Sequence, residues 1–306
     1  MEKSYKTTIG GQAVIEGVMM RGPSMSALAV RDPQGNIVVE DWQNLPMTAW
    51  YRKTPFVRGV FNMGSTMRAG YKCLMRSADI AGMEDEPSKF EKWLANKLGK
   101  AFSSLTQTFS MVLGVALAVG LFIILPTILA GFISGFFESD LMRSLLEGAV
   151  RITILVLYMA SVSLIPDIRR VFAYHGAEHK TIACYEAGRE LTVENVRTHS
   201  RFHPRCGTSF LLIVVVISIL VFSFISWESA LMRVALRLAL LPLVVGISYE
   251  IVKFTGRHDN IFTRFIAAPG RWLQRITTYE PDDSQIEVAI ASMQPVIPQE
   301  QGSDEW

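Results

Sequence analysis

Between Ala101 and Phe137 the chain has no charged residue, and over its 306 residues it has only three cysteines and a formal net charge of +2. Each shortage excludes something. An uncharged stretch of that length does not suit a water-facing surface. An odd number of cysteines, Cys73, Cys184 and Cys206, argues against a secreted disulfide framework and fits a reducing compartment. So small a net charge gives no ground for a nucleic-acid partner. The N-terminal MEKSYKTTIGGQAV has charge but no apolar core, so no cleavable signal peptide is expected and the first spanning helix serves as the insertion signal. Internal repeats are also missing.

What is present is apolar: half the residues are hydrophobic and the mean hydropathy is positive. Four runs approach the roughly 20 residues that cross a bilayer. They are Ser110 to Phe132, with a kink expected at Pro126; Glu147 to Pro166; Gly207 to Trp227; and Leu231 to Val252. The second carries Glu147 and Arg151, which can snorkel, and the fourth carries Arg233, Arg237 and Glu250. Basic residues crowd two stretches. Arg169, Arg170, Lys180, Arg189, Arg197, Arg201 and Arg205 lie between the second and third runs, and Lys253, Arg257, Arg264, Arg271 and Arg275 follow the fourth. The 131–146 connector holds only Arg143. The positive-inside rule then places both termini and the 167–206 segment in the cytoplasm.

The expected fold is an integral membrane protein, mainly α, with four transmembrane helices, a small cytoplasmic α+β N-terminal unit and a cytoplasmic His-rich loop. Its segments are 1–100, an α+β unit with a hairpin; 101–166, two spans; 167–206, the His/Cys/Glu segment; 207–254, two spans; and 255–306, a cytoplasmic tail with a short helix. In the first, SALAVRDPQGNIVVE alternates about Asp-Pro-Gln-Gly as a hairpin does. GGQAVIEGVMMRGP reads as one strand flanked by glycines, Val57 to Ala81 as a helix, and a second amphipathic helix starts at Pro87. In the tail, Ser284 and Glu287 form a capping-box pattern.

The chemistry concentrates in 175–206, which hold four of the five histidines and two of the three cysteines. His175, Glu178 and His179 stand at i, i+3 and i+4, one face of a helix that Gly188 ends. Imidazole, carboxylate and thiolate are ligands of a borderline-soft ion such as zinc. The His-x-x-Glu-His string matches inverted zincin-type hydrolases, in which the histidines hold the ion and the glutamate is general base. His199, His203 and Cys206 follow; Cys206 reads as a further ligand or as a nucleophile activated by a histidine. Glu186 is placed to orient His175 or His179 from behind. The bland alternative has these histidines capping helices and pairing with Glu178, Glu186 and Glu194. Cys184, on the opposite side of the helix, reads as structural.

Outside that segment, Glu250 within a span is a candidate functional group or a partner of Lys253. His258 and Asp259 complete the site or lie on the surface. Glu16 and Arg21, with Arg58 and Asn62, sit beside glycines that suit a close approach to a ligand or, equally, tight packing of the N-terminal part on the membrane helices. Met19, Met20, Met63 and Met67 read as core filler. Gly114, Ala116, Ala118 and Gly120 suit close helix contacts, including those of a homo-oligomer.

Taken together, GGQAVIEGVMMRGP, FAYHGAEHKTIACYEAG, THSRFHPRCGTSFLL and YEPDDSQIEVAIASM resemble the bacterial YqhQ-like membrane protein family over nearly the whole length. The resemblance implies a metal-dependent enzyme and carries the motif onto His175, Glu178, His179, His199, His203 and Cys206. The expectation is a hydrolase at the inner face of the bacterial cytoplasmic membrane, with a divalent ion, zinc first, acting on a lipid-linked or membrane-protein substrate. Its rival is a transporter, channel or scaffold whose metal is structural or cargo. An assembly factor whose N-terminal part binds a cytosolic partner is a third.

Overall fold

In a computed structural model, residues 5–44, 49–83, 100–134, 139–224, 230–258, 260–300 and 302–305 are described. The helix expected from Pro87, Trp227 and Asp259 lie outside them. The chain divides into two compact units: 1–83, 158–217 and 242–306 form the first; 84–157 and 218–241 the second.

The first unit is built on a four-stranded antiparallel meander, β1 (Gly10–Val14), β2 (Gly17–Arg21), β3 (Met25–Arg31) and β4 (Ile37–Gln43). GGQAVIEGVMMRGP is therefore two strands rather than one. The chain reverses at Ile15-Glu16, where Glu16 takes φ 49°, a left-handed conformation that costs a non-glycine residue strain. The β3–β4 turn is as expected: Asp32 accepts from the backbone of Gln34 and Asn36, and Gly35 supplies φ 90°.

Both sheet faces are covered, so side-chain period 2 sends alternate residues into two cores. Val18, Met20, Ala27 and Ala29 meet α5 (Pro166–Glu186) and α10 (Asp283–Met293). Met19, Leu28 and Val30 meet Cys73 of α1 (Val57–Ile80) on the other face. The stretch expected to form a unit of its own thus shares its core with the His-rich segment and the tail. Its own helix α1 covers only one of the two sheet faces. Of the expected core methionines Met19 and Met20 are buried, while Met67 is 60 % exposed.

Helix α5 starts with Pro166 at its first turn, seven residues before the expected Ala173, and Gly188 at φ 65° follows its end. A short α6 (Val193–Arg197) follows. Helix α7 (Gly207–Ser223) leaves the first unit after residue 217, and α8 (Ala230–Arg257) enters it at 242. Helix α9 (Ile261–Thr277) precedes α10, whose capping box joins Asp282 and Gln285 rather than Ser284 and Glu287. Asp282 holds the N-cap position because its carboxylate reaches the Gln285 N–H at 2.9 Å.

The second unit holds α2 (Lys100–Val119), a π turn (Gly120–Ile124), α3 (Leu125–Ser134) and most of α4 (Asp140–Val162). The π turn precedes Pro126, which has no N–H to continue the helical ladder. Among the described residues three helices are long and apolar enough to cross a membrane, Thr108–Phe132, Met142–Val162 and Val234–Arg257, while the apolar α7 has 17 residues. The most apolar stretch of each span is mostly uncovered by protein, the reverse of a water-soluble core. Within the second unit Glu147 accepts from Arg237 on both oxygens and from Arg151 at 3.2 Å, and Arg151 donates to Ser218 at 2.8 Å. All four are buried rather than snorkelling.

Candidate metal centre

Helix α5 delivers His175, Glu178 and His179 on the face that meets β1 and the chain before α7. Cys206 ends the coil 198–206 and caps α7: its carbonyl accepts from the Ser209 and Phe210 N–H groups. One nitrogen each of His175 and His179 and the Cys206 sulfur lie within 4.8 Å of one another, all three side chains largely or wholly buried. A sequence separation of 31 residues has been closed by the fold.

The imidazoles are aimed. His175 Nδ1 lies 2.9 Å from the Thr277 carbonyl and His179 Nδ1 2.6 Å from that of Arg201. A carbonyl only accepts, so each Nδ1 carries the hydrogen and each Nε2 is left as the inward-facing donor atom. His175 Nε2 lies 3.1 Å from Cys206 Sγ, and His179 Nε2 is buried with no hydrogen bond. An orphan imidazole nitrogen beside a sulfur suits a divalent cation better than any protein partner present.

The electrostatics agree. Burial alone would raise the Cys206 thiol, but the His175 and His179 imidazoles outweigh it and hold it well below its usual range. Burial likewise opposes charge on His175, yet the Cys206 sulfur raises it to about 9. Each group thus favours charge on the other across their 3.1 Å contact. Glu178, buried beside them, is pushed up by desolvation against the pull of both histidines and of the nearby Gly11 backbone, and one of its oxygens has no hydrogen-bond partner.

These groups line a cavity of about 380 Å³ together with Thr8, Gln12, Phe172 and Thr208. Gly11 is required where it stands: a Cβ there would lie 2.5 Å from the Met19 carbonyl oxygen and 3.2 Å from Glu178 Cδ. Thr208 Oγ1 lies 3.2 Å from the sulfur.

The other candidates are placed elsewhere. His203 lines the cavity, but its Nε2 faces Glu186 at 3.6 Å, and its backbone is held by Gln274, which accepts at 2.9 Å and donates at 2.7 Å. Burial, then His179 and Arg205, keep it below its ordinary range despite Glu186. His203 thus follows the bland pairing. His199 stands outside the three-residue group; burial and the Arg189 and Lys180 cations lower it. Glu186 does not orient His175 or His179, because main-chain carbonyls already do; it binds Arg205 and the Thr7 N–H. Cys184 is buried in the main core of the first unit.

Glu16 binds Arg170 and the Tyr174 hydroxyl at the β1–β2 turn. Arg21, in phase with Met19, falls on the α1 side of the sheet, away from the histidines. Glu250 pairs with Arg58 rather than Lys253 and also accepts from the Phe56 N–H at 3.2 Å; Asn62 donates to Tyr249 at 2.9 Å. A Cβ on Gly59 would lie 2.6 Å from Tyr249, so that glycine lets α1 pack on α8. His258 is exposed. Sequence reasoning missed Gly11, Gln274, and the Thr277 and Arg201 carbonyls. Main-chain groups leave no side-chain signal.

Fold and site define a helical protein with membrane-length apolar helices and a buried His–His–Cys constellation on a sheet-backed helix. The chain belongs to the family described as "Protein of unknown function (DUF1385)", whose model matches residues 54–299. It is 35 % identical over 301 residues to "Uncharacterized protein YqhQ" of Bacillus subtilis (strain 168), covering 94 % of this chain and 92 % of that one. No solved structure matches it.

Proposed function

We propose that this protein is a metal-dependent hydrolase of the bacterial cytoplasmic membrane, with four spanning helices and both termini in the cytoplasm. The observation that carries the reading is the convergence of the His175, His179 and Cys206 ligand atoms, with each imidazole fixed from behind by a carbonyl. Three protein ligands would leave a position open for water, the pattern of catalytic rather than structural zinc. Those three residues would hold the ion, which supplies a polarised water when bound. Glu178, the general base of this reading, receives a proton on its unpartnered oxygen. A lipid-linked or membrane-protein substrate suits a site on the chain segments that adjoin the spans, and the uncharged α7 serves as the fourth of these.

The test is purification in detergent with metal quantified per chain. About one zinc in the wild type and in Glu178→Gln, with hydrolysis of lipid-linked esters or phosphoesters lost only in the variant, is expected. Metal content in His175→Ala and His179→Ala equal to wild type would refute the centre.

A transporter reading draws on the buried Glu147–Arg151–Arg237 cluster, since ionisable groups within spans line ion paths. Ion flux into proteoliposomes that disappears in Glu147→Gln but survives His175→Ala would favour it.

A further inference from the structure

Helix α9 starts at Ile261, four residues beyond the Arg257 end of a candidate span, and presents three faces. Thr263, Ala267, Gly270, Leu273, Gln274 and Thr277 are buried. The first unit's candidate centre lies on that side: Gln274 holds His203 and the Thr277 carbonyl holds His175. Ile261, Phe265 and Trp272, at i, i+4 and i+11, form an apolar stripe 88 %, 78 % and 52 % exposed, with Phe262 beside it at 62 %. Arg264, Arg271 and Arg275 form a ridge along one edge of the stripe. Exposed aromatics flanked by arginines, directly after a spanning helix, are the pattern of a helix lying in the membrane interface.

Above the ridge is a pocket of about 340 Å³ lined by Lys6, Arg205, His258, Arg264 and Arg271, with Glu186 the only carboxylate among its described lining residues. Glu186 is engaged by Arg205. With Glu186 so engaged, Lys6 and Arg271 give the described lining of the pocket a cationic excess. Arg205 also lines the cavity that holds His175, Glu178 and Cys206, so the two openings are neighbours in the first unit.

We propose that this pocket holds the phosphate of an anionic membrane lipid whose chains run along the exposed stripe of α9. The lipid headgroup then sits beside the candidate centre, which makes a phosphate-bearing lipid the substrate class; this last step rests on the hydrolase reading, whereas the binding itself does not. Charge complementarity fixes the headgroup, and the stripe's position after the span fixes the bilayer as the source.

The experiment uses the full chain in lipid nanodiscs with a spin label on Phe265→Cys, the native thiols being buried. High accessibility to oxygen and low accessibility to a water-soluble nickel chelate is expected. High nickel accessibility, or protection from both reagents by a second copy or another segment of the chain, would overturn the proposal. In a second arm, native mass spectrometry in detergent compares retained phosphatidylglycerol with phosphatidylcholine. Phosphatidylglycerol should be favoured, and Lys6→Gln with Arg271→Gln should weaken it about thirtyfold, from roughly one surface charge interaction each. Equal retention of both lipids, or displacement by millimolar inorganic phosphate, would overturn it. Thermal unfolding in detergent reads the folding of these variants. If metal is lost in His175→Ala while lipid retention stands, lipid binding and the centre are shown to be separable, and a failure of one is not a failure of the other.

Discussion

The sharpest consequence of the geometry is that only three of the five histidine and cysteine candidates in 175–206 should hold metal. Structural zinc sites with four protein bonds are worth on the order of 10–16 kcal/mol, or roughly 3 kcal/mol per bond. Removing one of His175, His179 or Cys206 should therefore weaken binding by about a hundredfold, since 1.4 kcal/mol is a factor of ten. His203→Ala and His199→Ala should bind metal within about threefold of wild type. His203 spends its ring on Glu186, and its backbone stays tied to Gln274 whatever the side chain. The rings of His179 and His203 are 5.6 Å apart, so a loss limited to small readjustment is expected. The assay is competition against a chromophoric zinc chelator, with each variant's thermal unfolding recorded alongside. A hundredfold loss in His203→Ala, or none in Cys206→Ser, would refute the assigned ligand set.

Gly11→Ala should lower the thermal midpoint by the equivalent of about 1–3 kcal/mol, because the new methyl meets the Met19 carbonyl and crowds Glu178; an unchanged midpoint counts against that close approach. Glu147→Gln should cost about 3–5 kcal/mol by leaving Arg151 and Arg237 buried without their carboxylate, and Glu147→Gln with Arg237→Gln should recover part of it. Thermal denaturation in detergent reads both, and a double variant worse than the single would exclude the pairing. Glu186 gives a pH prediction. Burial resists its charge, but His203 and Arg205 hold its carboxyl below the usual range. A depressed folded value means its stabilisation is complete above the unfolded value near ~4.3 and is lost as pH falls through the folded one. Glu186→Gln should flatten the acid limb of stability against pH, and an unchanged limb would show that Glu186 contributes nothing there.

Much was legible along the chain because it depends on local pattern. The i, i+3, i+4 step of His175, Glu178 and His179 sets their common face on any helix. The Asp-Pro-Gln-Gly turn sets the β3–β4 hairpin, and long apolar runs, two of them carrying a few charges, set the membrane-length helices. Two strands were read as one in GGQAVIEGVMMRGP because the turn at Ile15-Glu16 contains no glycine or proline; Glu16 takes the left-handed conformation itself. Local pattern also says nothing of partners distant in the chain. Four imidazoles and two thiols within 32 residues are equal as text, and only tertiary packing sorts them. It brings Cys206 to His175, turns His203 to Glu186 and leaves His199 aside. The sorting is done by groups without chemical identity in the sequence, the carbonyls of Thr277 and Arg201. Every residue owns such groups, so composition and spacing determine which side chains can ligate, while the fold alone decides which of them point at the same place.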